Sequence, residues 1–159
     1  MKRFFLIALM SLAFVTANAT GQIHDKVVID GETWEMPASP LSSLEGPAAE
    51  AFRTVIGERK VISTANQRGY VAYWKVERRN LILEKVEILQ PNGKMKEADM
   101  AQLKKALKKY RHWGKIRAEW ITGEVIIGKG SGKVDPARPH APVFDKKKTI
   151  SLKKGRIVK

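Results

Sequence analysis

Two runs of alternating residues meet at a short polar break, Arg78-Arg79-Asn80, and this stretch constrains the fold more than any other. Before the break, Tyr70, Ala72, Trp74 and Val76 alternate with Val71, Tyr73, Lys75 and Glu77. After it, Ile82, Val86 and Ile88 fall on one side and Leu83, Lys85 and Glu87 on the other. A period of two belongs to a strand, whose side chains point alternately to opposite faces. The pair predicts an antiparallel hairpin with one buried and one partly wet face, ended by Gln90-Pro91-Asn92-Gly93.

The neighbouring segments extend this pattern. Lys26-Val27-Val28-Ile29 and Glu32-Thr33-Trp34-Glu35-Met36 flank Asp30-Gly31, a strong hairpin signal. Pro47 suits a first helical residue and Gly57 a helix end, so a short helix is expected between them. The main helix is predicted over residues 97–112, where Met100, Leu103, Leu107 and Tyr110 recur on one stripe and Gly114 follows. Alternation resumes over residues 116–127 and predicts a strand, with Gly123 marking a bulge. Pro136, Pro139 and Pro142 repeat every third residue, which suits an extended polyproline II connector. Thr149-Ile150-Ser151-Leu152 and Arg156-Ile157-Val158 predict a closing hairpin around Lys153-Lys154-Gly155. The fold class expected from these runs is α+β: a mostly antiparallel β-sheet with one main amphipathic helix packed on it.

Residues 1–19 read as a secretory signal peptide. Lys2 and Arg3 precede an apolar run from Phe4 to Val15, and Ala17-Asn18-Ala19 offers small residues for cleavage. That run is shorter than the roughly 20 residues a bilayer-spanning helix needs. The expected product is a single exported domain, residues 20–159, periplasmic or secreted. With no Cys in the chain, a disulfide scaffold, a thiol nucleophile and a Cys-based zinc site are all excluded. The formal net charge of +14 is concentrated in two short segments. Residues 94–117 hold 9 basic and 2 acidic side chains, and residues 145–159 hold 7 and 1.

Three stretches carry a family likeness. Val28-Ile29-Asp30-Gly31-Glu32-Thr33-Trp34-Glu35, the run from Ser63-Thr64-Ala65-Asn66-Gln67-Arg68-Gly69-Tyr70 to Trp74, and Trp120-Ile121-Thr122-Gly123-Glu124-Val125-Ile126-Ile127 together resemble a family of small exported bacterial proteins. The resemblance implies a compact exported domain. It brings no activity and no functional residues.

The candidate site is cationic. At about 100° per residue, Lys104, Lys105, Lys108 and Lys109 fall within an arc of about 140° opposite the apolar stripe. Like charges four apart destabilise a helix by roughly 0.2–0.5 kcal/mol per pair, and no acidic residue lies between Asp99 and Glu119. Arg111, Trp113 and Lys115 continue the set past the helix. The functional reading is a docking face for an acidic partner; the alternative is a solvated face that keeps the protein soluble. Trp113 is equally a core residue by type, as are Trp34, Trp74 and Trp120. Lys146-Lys147-Lys148 and Lys153-Lys154 either extend the same face or guard strand edges. Arg68, before Gly69-Tyr70, is either an anchor for a carboxylate or part of a corner between loop and sheet.

Catalysis has little support. His24, His112 and His140 lack metal-ligand spacing, and Gly128-Lys129-Gly130-Ser131-Gly132-Lys133 fails the phosphate-loop spacing. Glu77, Glu84, Glu119 and Glu124 lie on expected strands and could supply a glycosidase carboxylate pair, but acids so placed more often partner Lys and Arg. The sequence therefore points to an exported, non-catalytic binding protein without cofactor or metal. Its partner is an acidic protein, as for an inhibitor or immunity-type protein, and its docking face is the basic helix. The alternatives are a general binder of polyanions (lipopolysaccharide, anionic lipid or nucleic acid) and, more remotely, a glycan-active enzyme.

Overall fold

The computed structural model describes residues 22–57, 63, 65–130, 133–135 and 137–158. The expected signal peptide lies outside them. Its backbone opens with β1 (Asp25–Ile29) and β2 (Glu32–Met36), joined by Asp30 and Gly31 at φ 53° and 78°. Both turn residues are left-handed, as in a type I′ turn, whose twist matches that of the strands. Helix α1 (Gly46–Ile56) follows, ended by Gly57 at φ 77°. The hairpin expected around Arg78 is present as β3 (Tyr70–Glu77) and β4 (Asn80–Leu89). Its register shifts between Tyr73 and Trp74, so Glu84 on β4 has no opposite residue.

Beyond it run β5 (Met95–Glu97), α2 (Met100–Ala106), β6 (Arg111–His112), β7 (Lys115–Arg117) and β8 (Gly123–Lys129). The chain ends with β9 (Lys133–Asp135), β10 (Arg138–Val143), β11 (Lys146–Lys153) and β12 (Arg156–Val158).

These strands do not form an open sheet under a helix. The order β12-β11-β8-β2-β1-β3-β4 returns to β12, which closes a seven-stranded barrel. β1 and β3 run parallel, and the other pairs around the barrel are antiparallel. Closure is made by backbone bonds: the Leu81 amide donates to the Gly155 carbonyl at 2.8 Å, and the Ile157 amide to the Arg79 carbonyl at 2.7 Å. Arg79 Nε adds a third bond, to the Ile157 carbonyl at 3.0 Å. Closure covers most strand edges of the barrel and leaves the first half of β11, which β12 does not reach, with one edge unpaired. The expected α+β sheet is thus replaced by a mostly β barrel with two short helices.

The alternating residues fill it. Val27, Ile29, Trp34, Met36, Ala72 and Trp74 are buried from one side of the barrel, and Leu81, Val86, Val125, Ile127, Ile150 and Leu152 from the other. Phe144 lies across Gly128 so closely that a Cβ there would sit 2.0 Å from the ring. The aromatic series Trp74, Trp120 and Tyr110 leads outward from the core, with ring centroids 6.3 and 4.7 Å apart. It ends beside the two helices, which pack against each other. Phe52 of α1 meets Tyr70 edge-on at 5.4 Å, and Leu103 and Leu107 are fully buried.

Three further expectations are corrected. The main helix is shorter than residues 97–112. It starts at its cap, Asp99, and after Ala106 the chain tightens into a 3-10 turn over Lys108–Tyr110. Such a turn keeps Tyr110 on the apolar side, so the stripe looks helical in sequence past the point where the α-helix ends. Arg111 and His112 instead pair with β7. The strand expected over residues 116–127 is two strands. Between them the Ile121 amide turns back to the Ala118 carbonyl at 3.0 Å. Finally, the segment bearing Pro139 and Pro142 is not a free polyproline connector but strand β10, paired with β9 across a register shift.

Candidate docking groove between the two helices

A groove of about 940 Å³ runs between α1 and the segment formed by α2 and its 3-10 turn. Its α1 side is made of Ala48, Ala51 and Val55, which share a helix face, while Ala49 and Phe52 on the adjoining face are buried. Facing them are Lys105, Lys108 and Lys109, with Ala106 and Tyr110 between the cations. Glu45 lies at the rim. The α2 side is fixed at its start by Asp99, whose Oδ1 accepts the amides of Ala101 at 2.8 Å and Gln102 at 3.2 Å. It is fixed further along by burial of Leu103 and Leu107.

Lys105, Lys108, Lys109 and Arg111 are exposed and Lys104 is half-buried. None of the five forms an ion pair among the described residues. Lys109 Nζ lies 5.4 Å from the Tyr110 ring centroid, a cation–π contact that leaves its charge uncompensated. The structure therefore brings Lys105, Lys108 and Lys109 to one wall and separates the remaining expected residues from them. Lys104 lines a different cleft of about 220 Å³, with Met100, Gly114 and Lys115. Lys115 is paired to Glu77, and that bond holds the Glu77 carboxyl below its usual range. Trp113 is fully exposed, so the core role open to it by type is not the one it takes.

Sequence reasoning missed the α1 side of the groove. The available signal was the spacing of Ala48, Ala51 and Val55 beside Phe52, which widens the apolar face of the helix with side chains too small to fill a core.

The other constellations have structural roles. Arg68 is an anchor for a carboxylate of its own chain. Its Nη1 donates to Asp25 Oδ1 at 2.7 Å and its Nη2 to the Ile23 carbonyl at 3.0 Å. Fully buried Asp25 also accepts the Ala72 amide and Trp74 Nε1, each at 3.2 Å, so both its oxygens are occupied by the protein. Burial pushes its carboxyl above the ordinary value of 3.8, against the pull of the Arg68 guanidinium. Lys146, Lys147 and Lys148 line none of the groove. They pair with β8 on one side, whereas β12 covers only residues 151–153 on the other, which fits the guarding of an edge.

Of the carboxylates considered for glycosidase chemistry, Glu77 is held by Lys115, Glu84 lies 3.4 Å from Lys75, and Glu119 lies 3.1 Å from His112 and 3.5 Å from Arg117. Among the described residues no group of three metal-ligating side chains comes together, and no helix is long and apolar enough to cross a membrane. Comparison with protein-family models, curated proteins and solved structures finds no match.

Proposed function

We propose that this protein is a non-catalytic binding protein that docks an acidic partner protein in the groove between its helices. The observation that carries the reading is the groove's composition: an apolar side of Ala48, Ala51 and Val55 against a wall of Lys105, Lys108 and Lys109 that no carboxylate of the described chain neutralises. Charges gathered without partners repel one another, and carboxylates on an incoming segment offset that repulsion. The small side chains admit close approach, so an amphipathic segment with acidic and apolar faces matches both walls. A location in the cell envelope or outside the cell is supported by the signal-like residues 1–19 and the resemblance to small exported proteins.

The test compares the wild-type protein with a Lys105/Lys108/Lys109→Ala variant as bait in envelope extracts. The reading expects a discrete partner that the variant loses and that raised salt releases. Recovery of the same partner by the variant excludes the groove. Retention on heparin well beyond that of a small basic control protein, with no discrete partner, favours a general polyanion binder instead.

A further inference from the structure

The hairpin of β6 and β7 turns at Trp113 and Gly114, with φ 51° and 76°, between the paired residues His112 and Lys115. A left-handed first turn position suits Asn, Asp or Gly, and a bulky aromatic there is an outlier. The fold makes no use of the ring. Trp113 is 101% exposed, whereas Trp34 and Trp74 are buried and Trp120 Nε1 donates to the Pro40 carbonyl at 2.7 Å. The turn thus carries two local costs, backbone strain and apolar exposure, and no contact within the described chain compensates either.

The surroundings of this tip carry net positive charge, because Glu77 and Glu84 in the adjoining cleft are paired with Lys115 and Lys75 and leave other cations over. Arg111, two residues before Trp113, is exposed, Lys104 shares the cleft lined by Gly114, and neither forms an ion pair among the described residues. Lys115 beside them is already engaged by Glu77. A fully exposed ring on a hairpin end is convex. A protein partner must supply a matching pocket for it, whereas a bilayer interface accepts a projecting ring of any outline. The amphipathic indole favours that interface, with its apolar body among the acyl chains and its N–H at the headgroups.

We propose that the β6–β7 tip is a membrane-interface anchor, in which Trp113 enters the headgroup region of an anionic bilayer and Arg111 and Lys104 meet its anionic headgroups. The proposal is independent of the groove, whose lysines line a different cleft. Shallow apolar insertion and attraction of nearby cations to anionic lipids are the two contributions on which binding strength at a bilayer surface depends.

The experiment uses protein purified after export and vesicles of phosphatidylglycerol and phosphatidylcholine in equal parts, with pure phosphatidylcholine as control. Wild-type protein is expected to sediment with the anionic vesicles at low salt and not with the control. Its tryptophan emission shifts to the blue on binding, and brominated phosphatidylglycerol quenches it. Trp113→Ala should weaken binding by about tenfold, as burial of part of the ring implies. Trp113→Phe should bind nearly as wild type without the blue shift. Arg111→Ala and Lys104→Ala should each cost about fivefold, the effect of one basic residue near an anionic surface. Absence of wild-type binding, or undiminished binding by Trp113→Ala, overturns the anchor. So does loss of a protein partner by Trp113→Ala in the absence of any vesicle binding, which would seat the ring in a protein pocket.

Discussion

Gly155 lies directly on the backbone of Ala118: a Cβ built on it would sit 2.5 Å from the Ala118 carbonyl oxygen. The contact joins the turn before β12 to the segment after β7, and the Gly155 amide secures it by donating to the Ile121 carbonyl at 2.8 Å. Gly155 also has φ 68°. Gly155→Ala should therefore suffer both a left-handed backbone and a clash with main-chain atoms that cannot rotate away. A loss of about 3 kcal/mol is expected in urea unfolding. Gly93→Ala is the control, since Gly93 has a similar φ of 77° and nothing within 4 Å of the added carbon. It should lose only about 1 kcal/mol. Equal losses would show that Gly155 serves turn geometry alone and does not hold the barrel shut.

The buried pair of Asp25 and Arg68 makes stability depend on pH in a defined sense. Burial raises the Asp25 carboxyl in the folded state above its ordinary 3.8. Between that value and the raised one, folding takes up a proton, so this group's contribution to stability improves as pH falls through the window. Arg68→Ala removes the guanidinium that opposes the rise and should cost about 3–5 kcal/mol at neutral pH, the usual result of stranding one member of a buried pair. Part of that loss should return as the pH is lowered toward 4 (the usual carboxylate region), because protonated Asp25 no longer needs a cation. Denaturant midpoints of both proteins across pH check this. A loss that is the same at every pH would assign Arg68's role to packing.

Much of this architecture was legible in the sequence, and what was missed follows from two physical causes. Asp30-Gly31 and Lys154-Gly155 carry local turn chemistry, and both turns are present with left-handed backbones. Alternation gave the two faces of β3, because the period-two pattern is local too, but on β4 the register shift that skips Glu84 puts Leu83, not Ile82, on the core face with Val86, opposite Trp74. Closure was not legible. It rests on the backbone of Arg79 and Leu81 meeting that of Gly155 and Ile157, and main-chain bonds between distant segments leave no mark on side-chain identity. The second cause is ambiguity between neighbouring periods. Leu107 and Tyr110 continue the apolar stripe through a 3-10 turn, so the helix seemed to reach His112. That reading hid the two-residue turn at Trp113-Gly114, although His112 and Lys115 on either side pair as strands. Of the lysines grouped by period, Lys105, Lys108 and Lys109 line the groove, whereas Lys104 lines the neighbouring cleft.

The lysines of the groove should be dispensable for folding. Lys105, Lys108 and Lys109 are exposed and none is ion-paired among the described residues, so their combined replacement by Ala removes repulsion and no attractive contact apart from the Lys109–Tyr110 approach. The triple variant is expected to unfold at the wild-type urea midpoint or slightly above it. Partner association by the wild-type protein should slow steeply with added salt, and the variant should lack that dependence. A lowered midpoint would give these side chains a structural role and weaken the case for a docking wall.

Trp113 offers the sharpest separation of folding from function. At φ 51° it holds a conformation that costs an L-residue roughly 1–2 kcal/mol, and its exposed ring returns nothing to the fold. Asn tolerates the left-handed region and, followed by Gly114, completes the preferred pair for a type I′ turn. Trp113→Asn should therefore raise stability by about 1 kcal/mol in urea unfolding while weakening the vesicle binding proposed for the tip by about tenfold, as Trp113→Ala does. Gain of one with loss of the other is the pattern expected where strain is kept for binding. If Trp113→Asn is instead less stable than wild type, the ring supports the hairpin through contacts of its own, and its placement at the tip is no longer evidence of an external surface to enter.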